Sequence, residues 1–466
     1  MKIDRCAEFI IDKLNEAGYK AYLVGGCVRD SIIGRPVHDW DICTSALPEI
    51  VYNLFGEMGL TVIDTGMKYG TVSVILSDLD IDMINQDDRN YHYLTESNLK
   101  IYEITTFRKA SGARKMDAVE FTDSLEEDLM RRDFTINALA YHPKEGIIDI
   151  TGGLKDIDDK LIRCIKEPET RFYEDYIRIL RAIRFEAQLG FDIESNTYFW
   201  VQKMAEQINH TSPERIQSEF IKMICSDHVE KTLLNNAEVI GYIIPEIKET
   251  IGFVQNTPHH KYDVYVHSVK TVGALANQGF GDSNLRIAAL LHDIGKPLTV
   301  SIGKDRFDHY PSHASIGALL TEKILRRLNF SNSDIKEITT IVKYHDLRAE
   351  SKSAIKRLMN KVGQDTLNKI LMIRHADILA QSSHDIYSKI VELRQMREWF
   401  DEVVEGNEAF KLSDLEISGN DLIGLGYQPG VKFGTILTDV YNLVMEDRIS
   451  NTKELLVDYV LTHYPV

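Results

Sequence analysis

Several features that would place a chain outside a reducing, aqueous compartment are scarce here. There are only five cysteines, Cys6, Cys27, Cys43, Cys164 and Cys225, odd in number, scattered, and never in a CxxC pair. That excludes a disulfide scaffold and points to free thiols in a reducing cytosol. Long apolar runs are missing too. Charges interrupt "MKIDRCAEFIIDKLNEAGYKAYLV", and no later run approaches about 20 uncharged residues, so neither a signal peptide nor a membrane span is expected. Positive charge is in deficit, with 54 Lys and Arg against 71 Asp and Glu and a formal net charge of −17. Such a balance argues against wholesale nucleic-acid coating but leaves room for a local basic patch on one domain. Internal repeats and low-complexity tracts are absent. The 466 residues are expected to form two to four domains of a cytoplasmic protein.

The patterning divides the chain in two. Ala7, Ile10, Ile11 and Leu14 fall at helical spacing, and "KAYLV" then reads as a short buried strand ended by Gly25 and Gly26. "GTVSVIL" and "IYEITTF" alternate as strands do, and the acidic stretch between them, about residues 77–100, reads as an inserted loop. From about Leu154 strand signals nearly vanish and the remainder reads as helices punctuated by Gly and Pro turns. The organisation expected is a small α/β head followed by a long helical body.

The chemistry concentrates in "YLVGGCVRDSIIGRPVHDWDICT". Asp39 and Asp41 straddle Trp40, and on a strand positions i and i+2 share a face roughly 7 Å apart. Paired carboxylates of this kind suit Mg²⁺, whose shell is completed by water and substrate phosphates. Gly25 and Gly26, without side chains, let the backbone approach a triphosphate beside a helix N-terminus, and Arg29 is expected to add charge-assisted hydrogen bonds to the phosphates. Further along, Asp175, Arg178, Arg181 and Arg184 recur every third residue, which predicts a ridge along one helix, with Ile177, Leu180, Ile183 and Phe185 packing inward. A carboxylate accepting from an exocyclic amino group and an arginine donating to a ring nitrogen select cytosine and adenine over uracil and guanine.

Taken in order, GG, RD, G and DxD closely resemble the nucleotide-transfer motif of the class II tRNA nucleotidyltransferases, the family of CCA-adding enzymes and bacterial poly(A) polymerases within the polymerase-β-like superfamily. The resemblance implies that Asp39 and Asp41 bind the catalytic metals. "LEEDLMRRDFTINALAY" is similar to the second family motif, which implies nucleotide contact by Arg132 and ribose recognition by Asp133. "DITGGLKDI" resembles the family's connecting segment, and "YEDYIRILRAIRF" its base-reading helix, which assigns the protein template to Asp175 and Arg178 and nucleotide or phosphate contacts to Arg181 and Arg184. Glu103 falls where the family has an acidic residue and is a candidate third carboxylate.

In the body, "RIAALLHDIGKP" resembles an HD phosphohydrolase domain. The resemblance implies His267, His292, Asp293, His313, His345 and Asp377 as ligands of a transition metal, one ion or two, that activates water. Residues 412–451 resemble the family's C-terminal body and tail, which holds the tRNA elbow by shape and backbone. Two departures stand out: the 77–100 insertion, and "FRKASGARKMDAVEF", which is shorter than the loop associated in the family with switching from C to A addition. The fold expected is α+β, a polymerase-β-like head at 1–150, a helical neck at 151–255 carrying the base-reading helix, an HD body at 256–400 and a helical tail at 401–466 for tRNA. The activity expected is Mg²⁺-dependent addition of C and A from CTP and ATP to the tRNA 3′ end, with no membrane partner. A CC-adding or A-adding partial enzyme, a poly(A) polymerase, and an HD phosphohydrolase with a nucleotide-binding head remain alternatives.

Overall fold

Seven strands form one mixed sheet in the order β3-β4-β5-β2-β1-β6-β7, where β1 is Ala21–Val24, β2 Ile42–Thr44, β3 Thr61–Gly66, β4 Thr71–Leu76, β5 Lys100–Thr106, β6 Leu139–His142 and β7 Gly146–Asp149. The computed structural model describes residues 3–85, 99–109, 119–257, 261–381 and 385–465. β2 and β5 run parallel, with Ile42 opposite Ile104, while the other pairings are antiparallel. All four residues of β1 are buried, as expected for a strand near the middle of a sheet covered on both faces.

The first helix, Arg5–Glu16, is amphipathic as its spacing predicts, burying Cys6, Ala7, Ile10, Ile11 and Leu14. Asp4 starts it as N-cap, its Oδ1 accepting from the amides of Cys6 and Ala7 at 2.9 and 3.2 Å. The second, Gly26–Ile32, begins directly after β1 with Gly25 at φ 77° and ψ −131°, a conformation essentially reserved for glycine.

The 77–100 stretch differs from the loop expected. Asp78–Asn85 is helical, because Ser77 and Asp80 exchange bonds that cap its first turn: Asp80 Oδ2 accepts from the Ser77 amide at 2.8 Å. The rest of the insertion, 86–98, and most of the shortened loop, 110–118, lie outside the described residues. Beyond Leu154 strand content among the described residues reduces to two-residue pairs, Leu161–Ile162 with Asp192–Ile193 and Ser301–Ile302 with Asp308–His309.

The chain divides into two compact units, 1–212 and 213–466. The helix Ile177–Leu189 therefore belongs with the head, and the first division falls inside the span expected for a separate neck. Within the second unit Ile417, Leu422, Tyr427, Ile436, Val440, Val444, Leu456 and Val460 form a core of their own, which gives the C-terminal tail an independent packing centre. Among the described residues no helix is long and apolar enough to cross a membrane.

Candidate active site

The turn between β1 and the Gly26–Ile32 helix brings three sequence motifs to one place. A Cβ on Gly25 would lie 3.1 Å from Arg132 Nη1, 3.9 Å from the Asn137 carbonyl oxygen and 4.0 Å from Asp41 Oδ2. The glycine is thus required both by its φ and by the closeness of a guanidinium and a carboxylate on either side.

Asp39 and Asp41 do not sit within a strand. β2 begins at Ile42, and only the Asp41 carbonyl reaches the sheet, accepting from the Val24 amide at 3.1 Å. The reason is local: the turn at Ile33–Gly34 is followed by Pro36, and residues 35–41 stay outside the sheet until the chain meets β1. The neighbouring residue Ile42 pairs with Ile104, which places Glu103 of β5 alongside Asp41, and all three carboxylates are exposed. Asp41 keeps an open side, yet burial by the surrounding protein, helped by the charges of Glu103 and Asp39 and opposed by Arg132, pushes it up to about 6. Glu103 and Asp39 are near enough for their charges to be felt at Asp41, and carboxylate oxygens are the hard donors that Mg²⁺ prefers.

Arg132 is held in place by Asp128, whose Oδ2 accepts from Nη2 at 3.1 Å, while Arg131 donates to Oδ1 of the same carboxylate from Nε at 2.8 Å. Burial alone would raise Asp128, but Arg132 and Arg131 outweigh it and hold the carboxyl below its usual range. Arg132 Nε is buried with no hydrogen-bond partner among the described residues, leaving donor capacity at the Gly25 turn.

Asp133 faces inward. Its Oδ1 accepts from the Phe134 amide at 2.8 Å and from Asn137 Nδ2 at 3.2 Å, and its Oδ2 accepts from Arg181 Nε at 2.7 Å. Against the cost of burial, Arg181 and these bonds hold it far below the carboxylate range. The residues expected at ribose and nucleotide are therefore each other's partners here.

Arg29 does not face the phosphate cradle. It is 3 % exposed, donates from Nε and Nη2 to the two Asp30 oxygens at 2.9 Å, and gives Nη1 to Asn137 Oδ1 at 2.5 Å. It shapes the Gly25–Gly26 turn from behind, because the helix spacing that brings Arg29 back over Gly26 also turns it into the protein.

The base-reading ridge is interrupted at its first member. Asp175, at φ −156° and ψ 105°, lies between the helices Pro168–Glu174 and Ile177–Leu189, its Oδ1 reaching the Ile177 amide at 3.4 Å. An aspartate competes with the backbone for its hydrogen bonds and so favours a helix boundary over a helix interior. Arg178 and Arg181 remain on the helix half-buried, Arg178 donating to Glu174 Oε2 at 2.7 Å and the Arg171 carbonyl at 2.9 Å. Arg184 is buried with its guanidinium carbon 3.9 Å from the centre of the Phe185 ring. Ile177, Leu180, Ile183 and Phe185 are all buried, as their spacing predicts.

In the second unit six side chains from five helices and their ends converge. His267 lies on Val264–Asn277, His292 and Asp293 follow Ser283–Leu291, His313 opens His313–Arg327, His345 ends Asn332–Tyr344, and Asp377 lies on Gln364–Ala380. Asp293 is central: its Oδ2 is 3.2 Å from His292 Nε2 and 3.6 Å from His267 Nε2, and its Oδ1 is 3.5 and 3.7 Å from His313 and His345 Nε2. Asp377 Oδ1 stands 2.8 Å from His267 Nε2. The Nδ1 atoms of His292, His313 and His345 lie 2.7–2.9 Å from the carbonyls of Ala289, Tyr310 and Val342, which places a proton on each Nδ1 and turns each Nε2 inward. His292 Nε2 is buried and makes no hydrogen bond with any described residue, the state expected of a metal ligand. Burial and the nearby His292 charge lower His345 to about 4, whereas Asp293 and Asp377 overcome burial and raise His292. A cavity of about 310 Å³ opens on this cluster, lined also by Lys296, Tyr310 and Gln381.

Two residues of consequence were missed by sequence reasoning. Lys296, buried with Nζ 2.7 Å from Asp293 Oδ2, carried a legible signal in standing one helical turn after Asp293. Asn137 stands inside "LEEDLMRRDFTINALAY", four positions after Asp133, but its other partner, Arg29, is 108 positions away and leaves no local signal.

Known proteins match the chain along most of its length. A poly A polymerase head domain model matches residues 21–163, a tRNA nucleotidyltransferase domain 2 model matches 314–460, and a model described as "Probable RNA and SrmB- binding site of polymerase A" matches 190–251. The CCA-adding enzyme of Lactobacillus johnsonii is 30% identical over 457 residues, 97% of this chain and 95% of that one. That of Leuconostoc citreum is 40% identical over 283 residues, 58% of this chain and 64% of that one. The crystal structure of the Bacillus stearothermophilus CCA-adding enzyme in complex with CTP superposes with a TM-score of 0.70 at 26% identity, covering 99% of this chain and 98% of that one. With a CCA-adding enzyme 30% identical to it over 97% of its length, the chain belongs to the family of CCA-adding tRNA nucleotidyltransferases.

Proposed function

We propose that this protein adds C and A nucleotides from CTP and ATP to the 3′ end of tRNA and releases pyrophosphate. The observation that carries the reading is the meeting of Gly25, Asp41 and Arg132 within about 4 Å at the end of β1, with Glu103 beside them. Asp39 and Asp41, with Glu103 as a third carboxylate, would hold Mg²⁺. When bound, the ion supplies charge for the attacking hydroxyl and the departing pyrophosphate. The chain's own part is positional. The amides at the N-terminus of the Gly26–Ile32 helix receive the triphosphate, and Arg132 neutralises it from the opposite side. Asp175 and Arg178 are the base-selecting pair, and Arg181 and Arg184 hold the helix that carries Arg178 against the head. The domain roles proposed are nucleotidyl transfer by 1–150, base selection by the helices after 151, and tRNA contact by the tail from 401.

The test is incorporation on three tRNA transcripts ending at the discriminator base, at C and at CC, each given labelled CTP or ATP with Mg²⁺. Growth of all three to CCA and a clean stop is expected. A stop after CC, action on the CC-ended transcript alone, or a long A tail would name a specialised relative instead.

A second reading is supported by the six converging ligands of the second unit. We assign them a metal-dependent phosphoester hydrolysis separate from transfer, with His267, His292 and Asp377 on one side of Asp293 and His313 and His345 on the other. His292→Ala should abolish metal retention and hydrolysis while incorporation persists, and Asp39→Ala should do the reverse.

A further inference from the structure

Behind the triphosphate turn runs a buried hydrogen-bonded chain that links the first motif, the second motif and the base-reading helix. It starts at Asp30, passes through Arg29 to Asn137 Oδ1, crosses the amide to Nδ2, continues to Asp133 Oδ1 and leaves Oδ2 for Arg181. Arg29, Asn137 and Asp133 are 3, 6 and 7 % exposed. The orientation of the amide is dictated by its partners: a guanidinium only donates and a carboxylate only accepts, so the oxygen must face Arg29 and the nitrogen Asp133. Among side chains of this length asparagine alone can do both. Aspartate would set two carboxylates against each other, and an apolar residue would leave a buried guanidinium and a buried carboxylate each short of a bond.

The same three segments share an aromatic floor. The guanidinium carbons of Arg29, Arg181 and Arg184 lie 5.1, 5.5 and 3.9 Å from the centre of the Phe185 ring, which meets Phe134 edge-on at 5.8 Å. Two of the cations are paired, Arg29 with Asp30 and Arg181 with Asp133.

We infer that Asn137 is a positioning residue that ties the triphosphate-binding turn to the base-reading helix, so that seating of the phosphates and choice of the base are set together. This rests on the nucleotidyl-transfer reading above. Asn137 touches no substrate itself. It acts through Arg29, whose helix carries Gly26, and through Asp133, whose partner Arg181 lies one helical turn from Arg178. A shift of either end is transmitted to the other, since both hang on one amide of fixed length.

The test uses the full chain and CTP or UTP incorporation on a transcript ending at the discriminator base. Asn137→Asp is isosteric and keeps the bond from Arg29 while replacing the donation to Asp133 with repulsion; Asn137→Ala removes both. In either variant kcat/KM for CTP should fall by about tenfold or more, chiefly through KM, with the preference for CTP over UTP also reduced about tenfold. Combining Asn137→Ala with Arg181→Ala should cost less than the product of the two separate losses, because both act on Asp133. A fall in thermal stability or kcat alone, with KM and base preference intact, overturns the inference, as does a fully multiplicative double variant. If Asn137→Ala fails to fold, Asn137→Asp decides. If the unaltered protein incorporates nothing, the transfer reading fails by itself. Equilibrium binding of labelled CTP and UTP then decides the coupling: equal affinities in protein and variant overturn it, and a weakened, less selective variant supports it.

Discussion

At the scale of single residues, the transfer site places an acidic group where it is least comfortable. Asp41 is raised to about 6 by burial and by Glu103 and Asp39. A carboxyl whose folded value exceeds its unfolded one favours folding when protonated, so its contribution is present at low pH and is lost as pH rises from about 4 through about 6. Without metal, Asp41→Asn should therefore be more stable than the parent at pH 7.5, by about 1 kcal/mol once solvent screening of this open group is allowed for. The gap should close below about pH 4, as thermal melts in chelator would read. The same substitution should cost at least about 10³ in incorporation, since a carboxamide neither carries the charge nor bridges cations. Acid below about pH 6 should weaken Mg²⁺ activation in the parent for the same reason, visible as a rising Mg²⁺ requirement.

At the scale of elements, what matters is how the β1 turn and the helix after it are made. Gly25→Ala would place a methyl 3.1 Å from Arg132 Nη1 at a φ of 77°, so strain and displacement add. A loss of about 10²-fold in kcat/KM for CTP is expected, with about 1–3 kcal/mol of stability, read by incorporation kinetics beside denaturant unfolding. The helix Ile177–Leu189 tells the complementary story. Its apolar stripe was legible from spacing, and Ile177, Leu180, Ile183 and Phe185 are buried accordingly. Its first polar residue was not: a three-residue rhythm continues through a helix break as readily as through a helix, and only the backbone at Asp175 separates the two. Likewise the two-residue rhythm of Asp39 and Asp41 resembles a strand, but pairing depends on whether β1 is long enough to meet them.

At the scale of the whole molecule, charge and its pairing dominate. A net charge of −17 confines RNA contact to restricted patches, so tRNA affinity should fall with salt at a log–log slope of only a few, and tight binding at about 0.5 M salt would contradict this. In the second unit a buried ammonium ties the body to the tail. Lys356, 2 % exposed, lies 2.6 Å from Glu408 Oε2 and 2.5 Å from Asp447 Oδ1, with Lys352 2.9 Å from Glu408. Lys356→Ala should lower the urea midpoint of this unit by the equivalent of about 2 kcal/mol, less than for a fully buried pair because both carboxylates keep access to water.

The sequence by itself determined the amphipathic helices, the strands β1, β4 and β5, and the identity of the residues that gather in both sites. The elements follow from periodicity, which is local and survives any arrangement of the chain, whereas Arg132, Asp133 and the six side chains of the second unit came from the family resemblance. Only the tertiary structure decided which distant polar groups meet: Arg29 with Asn137, and Asp133 with Arg181. A hydrogen bond between residues separated by 48 or 108 positions has no period and no motif, because what selects it is the direction a side chain takes once sheet and helix have packed.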